Sequence, residues 1–161
     1  MRKVKVAAVQ MRCTRDVNAN IANAERLVRK AAADGAQIIL LPELFERQYF
    51  CQERQYEYYE FAKPVEENDA VKHFAKVAEE LKVVLPISFY EKDGKRLFNT
   101  VAILDADGTN LGIYRMTTII RRNSTSHRAT RDLRHLRPAT APSAWASAGT
   151  SGSRRPRDLW R

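Results

Sequence analysis

The chain has little from which a metal site or a disulfide framework could be built. It has only two cysteines and three histidines among its 161 residues. Cys13 and Cys51 lie far apart and neither belongs to a C-x-x-C pair, so the spacing supports neither a zinc ligand set nor a staple. This leaves a reducing, cytoplasmic setting as the expectation, with no metal and no cofactor. His73, in VKHFAKV, has no second histidine, cysteine or acidic cluster beside it and reads as a packing or surface residue. Long apolar runs are also missing. The opening MRKVKVAAVQ is interrupted by Lys5 and has no small-residue cleavage pattern, which argues against a signal peptide. No stretch approaches the roughly 20 apolar residues of a membrane span.

The scarcity is sharpest at the end. Residues 121–161 contain no Ile, Val, Phe or Tyr, yet they hold ten arginines against two aspartates, so they carry most of the net charge of +9. Such a segment cannot bury enough apolar surface to offset about 1–2 kcal/mol of backbone entropy per ordered residue. The expected division is a folded part over 1–115 and a disordered basic tail over 116–161. A tail of this charge attracts phosphate, so an arm that binds nucleic acid or an acidic surface is the alternative reading. The near absence of lysine and of interleaved aromatics speaks against nucleic acid.

The preceding part is rich in what the tail lacks. KVKVAAVQM (Lys3–Met11) reads as a buried strand. From Asn18 to Ala33, Ile21, Ala24, Leu27, Val28 and Ala31 recur at helical spacing, with Gly35 closing the segment. AQIILLP is a short apolar run stopped by Pro42, which fits a strand covered on both faces and completes a βαβ unit. A loop rich in Tyr and Phe follows. A second amphipathic helix is predicted over Asn68–Leu81, and VVLPISFYE is predicted as a strand. LFNTVAILD and NLGIYR are the last two strands, joined to what precedes them by EKDGKR and ADGT turns. The fold class is α/β, a mixed sheet with helices packed on it.

Ligands of open α/β sheets gather beyond the carboxyl ends of strands, and Glu43 in LLPELF stands at such a place. A carboxylate there would be partly desolvated and suited to general-base work near neutral pH. Capping or bridging the loop is the plainer role.

VAAVQM, IILLPELFERQYFCQ, PISFYEKDGKRLFNTVAILDADG and LGIYR together resemble the carbon–nitrogen hydrolase (nitrilase) superfamily, over roughly residues 3 to 115. The resemblance implies the N-terminal portion of an α-β-β-α sandwich. It further implies metal-free hydrolysis of an amide-type bond in a small carbamoyl amine, and a homo-oligomer when the protein is intact. It makes Glu43 the general base, acting with a lysine and a cysteine nucleophile: the base takes the thiol proton, a thioester forms, and water releases it. The lysine would stabilise charge developing on the substrate oxygen.

Two of those roles are vacant. The position after the Tyr-Arg pair, where the family has lysine, holds Met116, and no cysteine follows Cys51. The contexts of Cys13 and Cys51 do not suggest an activated thiol. Tyr49 and Phe50, with Tyr56, Tyr58, Tyr59 and Phe61, either line a pocket for an amine stem or pack a long loop onto the sheet. Glu46, Glu53 or Glu57 would then meet the cationic end.

The genetic code ties the vacancies to the composition change. Taking the third base of each codon with the first two of the next, Met116 and Thr117 force an aspartate, and the run to Thr130 permits DDHYQEKFYFTPGD. Trp145 and Ala146 force a glycine, and the run from there to Pro156 permits VGICWDQWFPEA, with the cysteine codon straddling Ser147 and Ala148. Both runs resemble the family. The expectation is a shift of frame near Arg115–Met116, a catalytically incomplete chain, and an apolar sheet face left open to association. A non-catalytic regulatory fragment is a further alternative.

Overall fold

The computed structural model describes residues 3–51 and 55–116. The predicted tail therefore lies outside the described residues, apart from Met116. Five strands and two helices alternate in the expected order. They are β1 (Val6–Ala8), α1 (Val17–Ala33), β2 (Ile38–Leu40), α2 (Asp69–Leu81), β3 (Leu85–Asp93), β4 (Arg96–Leu104) and β5 (Asn110–Arg115). The first two strands are shorter than their apolar runs suggest, at three residues each. Two 3₁₀ segments, Tyr56–Phe61 and Val65–Glu67, occupy the aromatic loop that the sequence leaves without structure.

β1 and β2 pair in parallel, with Val6 opposite Ile38. β2 is tied to the start of β3 through a parallel bridge from Ile38 to Val84, and Ile39 N–H donates to the Val84 carbonyl at 3.0 Å. β3, β4 and β5 form an antiparallel meander in that order. The β3–β4 hairpin closes on Gly94 and Lys95 between paired Asp93 and Arg96, with Gly94 at φ +60° as a tight turn requires. At the other hairpin Gly108 lies against α2, where a Cβ would meet the Ala75 carbonyl at 3.0 Å.

Period-two alternation decides the two faces of this sheet. Ile39, Leu85, Ile87, Phe89, Ala102 and Leu104 are buried in one cluster with Ile21, Ala24 and Val28 of α1 and Val71, Phe74, Val77 and Ala78 of α2. Phe74 and Phe45 meet edge to face at its centre, centroids 5.6 Å apart. The alternate residues, among them Leu40, Val101 and Tyr114, point away from the helices, and Leu40 is 51% exposed. Helix starts follow their caps. Asp16 accepts from Ala19 N–H before α1 and Asn68 accepts from Val71 N–H before α2, each satisfying one of the helix's free donors.

Glu25 links the helices, accepting from Arg29 and sharing a 2.7 Å contact with His73 of α2. His73 is thus a tie between helices and an edge contact to Phe74. The Arg29 guanidinium holds the Glu25 carboxyl below its ordinary range. A carboxyl lowered in the folded state stabilises above its unfolded value and loses that contribution as pH falls through the folded one. Glu25→Gln is therefore expected to cost about 0.3–0.5 kcal/mol at neutral pH, the size of an exposed pair, and progressively less at an acidic pH below the ordinary glutamate value of about 4.3. Urea midpoints at the two pH values check this.

Candidate active site

Glu43 follows β2 after Leu41 and Pro42, and the backbone turns sharply just beyond it. Leu44 sits at φ +51°, a conformation that branched side chains avoid at a cost of about 1–2 kcal/mol, and its side chain is buried. Three contacts hold this turn. Leu44 N–H donates to Ser88 Oγ on β3 at 3.2 Å. The buried Asn20 of α1 donates through Nδ2 to the Glu46 carbonyl at 3.0 Å and to the Thr14 carbonyl at 2.8 Å. Asn68 donates to the Glu46 carboxylate at 3.1 Å.

The Glu43 side chain projects onto the helix-free face, into a cleft of about 260 Å³. Leu40, Val101, Tyr114 and Met116 give the cleft apolar walls, and Ser88 and Asn99 complete its polar side with Glu43. Asn99, on β4, donates its amide to Glu43 Oε1. The Asn99 carbonyl accepts from Met116 N–H at 2.8 Å, and Met116 Sδ lies 4.0 Å from Asn99 Nδ2. Glu43 is exposed, so the partial desolvation expected from its place after an apolar strand is not found: only one sheet face is packed, and the cleft opens to water. Among the described residues no cluster of three or more His, Cys, Asp or Glu could hold a metal ion.

The cleft offers one carboxylate, flanked by the neutral polar side chains of Ser88 and Asn99. At position 116 the thioether can neither carry positive charge nor donate a hydrogen bond. Burial pushes the Cys13 thiol up. It also pushes up Cys51, against the pull of the Tyr49 hydroxyl and with the Glu43 charge adding to it. A nucleophilic thiol needs the opposite shift.

Tyr49 stands beside Glu43 and Cys51; burial raises its phenol first, and their charges add to that. Phe50 faces elsewhere, packing against Tyr58, Phe61 and Tyr90 with centroids 5.3–5.6 Å apart, so it fastens the long loop to β3. Glu46 is not at the cleft. Its carboxylate sits at the start of α2, raised by burial and opposed by the Asn68 hydrogen bond. Glu57 is exposed on the 3₁₀ segment, and Glu53 lies outside the described residues. Asn99, Ser88 and the Leu44 conformation had no assigned part in the sequence reading. FNT and PIS show their outward positions only once the strands are in register.

The sequence pattern of the carbon–nitrogen hydrolase family matches residues 5–152. The chain belongs to that family. The match runs past Arg115, where the residue-by-residue resemblance ends. Among curated proteins, the chain is 50% identical over 117 residues to an N-carbamoylputrescine amidase of Oryza sativa subsp. japonica, covering 73% of this chain and 39% of that protein. It is 40% identical over 119 residues to a citrullinase of Francisella tularensis, covering 74% of this chain and 42% of the citrullinase. A solved carbon–nitrogen hydrolase from Helicobacter pylori G27 superposes with a TM-score of 0.67 at 24% identity, over 73% of this chain and 40% of that one. The fold is thus that of the N-terminal portion of a carbon–nitrogen hydrolase. The chain spans about two fifths of the length of these relatives. Among the described residues no helix is long and apolar enough to cross a membrane.

Proposed function

We propose that this chain derives from a hydrolase that converts N-carbamoylputrescine and water to putrescine, carbon dioxide and ammonia, in polyamine biosynthesis, and that the chain itself is inactive. The 50% identity to N-carbamoylputrescine amidase supports the substrate class. The observation that carries the chemistry is Glu43, a carboxylate at the mouth of an apolar cleft with Asn99 on one oxygen. In the complete mechanism Glu43 takes the proton of a cysteine thiol, the thiolate attacks the carbamoyl carbon, the proton passes from Glu43 to the departing ammonia, and water attacks the resulting thiocarbamate, freeing the thiol and a carbamic acid that loses carbon dioxide to leave putrescine. The position that would stabilise the oxyanion carries Met116, and neither Cys13 nor Cys51 has the environment of a nucleophile.

An alternative frame over residues 116–130 and 145–156 accounts for both vacancies with one event. The test is to read the codons, restore the frame, and assay ammonia release from N-carbamoylputrescine. The restored protein is expected to turn over and the present chain to release none. Turnover by the present chain, or codons that forbid the alternative residues, would overturn the proposal.

A further inference from the structure

We propose that Asn99 is a positioning residue for the Glu43 base and sets the distance between that base and position 116. The inference rests on the reading of Glu43 as a base.

Asn99 is joined to both ends of the site. Its side-chain amide donates to Glu43 Oε1, and its backbone carbonyl accepts from Met116 N–H at 2.8 Å. One residue on one strand thus fixes the carboxylate and the position from which the family presents its lysine. The amide fills one lone pair of Oε1 and so restrains the rotation of the carboxylate. An asparagine amide suits this role: it donates to a carboxylate and does not compete for its proton.

The opposite face of β4 keeps Asn99 where it is. Its neighbours in sequence, Phe98 and Thr100, point to the helix side. There the Arg115 guanidinium lies 4.3 Å from the Phe98 ring centroid and Thr100 Oγ1 donates to Glu91 at 2.6 Å. Glu91 in turn grips Arg115, the residue before Met116. β4, which carries Asn99, and the end of β5, which leads into Met116, are therefore tied together from behind. Asn99 is a polar residue in mid-strand, half-buried and lining the cleft with Val101, Tyr114 and Met116, and its amide is directed at Glu43.

The experiment is a pH titration of the present chain by NMR, following the Asn99 side-chain amide and the Glu43 carboxyl carbon. The Asn99 amide signals are expected to shift with the same single midpoint as the Glu43 carbon, and to lose that pH dependence in Glu43→Gln. In Asn99→Ser, whose side chain is too short to reach, the Glu43 side-chain signals should show averaging over rotamers while the β3–β4 backbone signals stay in place. An Asn99 amide that does not follow pH, or follows it unchanged in Glu43→Gln, would overturn the proposal. So would Glu43 side-chain signals indifferent to Asn99→Ser. None of these readouts depends on turnover, so the pair stands or falls separately from the amidase assignment.

Discussion

Glu91→Ala is expected to remove about 3–5 kcal/mol of stability, the cost of breaking a buried ion pair from one side. Glu91 is 2% exposed and accepts from Arg115 Nε at 2.7 Å and from Arg115 Nη2 at 2.5 Å. It also takes the Thr100 hydroxyl at 2.6 Å. Alanine leaves the guanidinium with Asp93 at 3.0 Å as its remaining ion-pair partner, and it deprives the fully buried Thr100 hydroxyl of its acceptor. For a total at the lower end of the typical range of about 5–15 kcal/mol, such a loss brings the fold near its midpoint at room temperature. Urea unfolding followed by far-ultraviolet circular dichroism is the measurement. Glu91→Gln, which keeps one acceptor and the volume, should lose clearly less. The double variant Glu91→Leu with Arg115→Met should recover much of the loss, because replacing both charges removes the stranded one. A loss below about 1 kcal/mol for Glu91→Ala would mean the pair behaves as if solvated.

That network shows where the sequence was legible and where it was not. Leu85, Ile87 and Phe89 alternate as a strand with one buried face should, so the strand could be read from spacing alone. Continuing the same alternation puts Glu91 on the buried side, and nothing local to β3 says how its charge is compensated. The partners come from β4 and from the end of β5, contacts fixed by register and not by neighbouring residues. That Glu43 follows β2 could be read from Pro42, which marks the end of the apolar run. Its exposure could not, since that depends on which faces are packed. Leu44 gave no warning of its positive φ, which glycine or asparagine would have signalled. Asn99 was visible as a letter in FNT, but its outward direction and its reach to Glu43 required the antiparallel pairing of β3 with β4. The aromatic loop was recognised as aromatic. That it holds two 3₁₀ segments, with Phe50 clamped onto Tyr90, follows from ring packing between residues distant in sequence.

In the frame-restored protein, Glu43→Gln is expected to lower kcat by about 10²–10⁴-fold with KM little changed, the range for removing a positioned proton acceptor. Glutamine keeps the shape and can still accept from Asn99 through its carbonyl oxygen, so binding and fold are preserved while the thiol proton has no acceptor. Equal losses in kcat/KM and kcat would mark an interaction made in the transition state, and a rise in KM alone would assign Glu43 to binding instead. The present chain offers the complementary test. Met116→Lys restores a cation next to Asn99 and Glu43 but supplies no activated thiol, because burial raises both Cys13 and Cys51. It is therefore expected to release no ammonia from N-carbamoylputrescine. On the proposed reading, the covalent step needs the thiolate that the base makes, and the lysine serves the oxyanion that its attack creates. Activity in Met116→Lys without the downstream cysteine would show that water, not a thiolate, attacks in this cleft, and that Glu43 activates it directly.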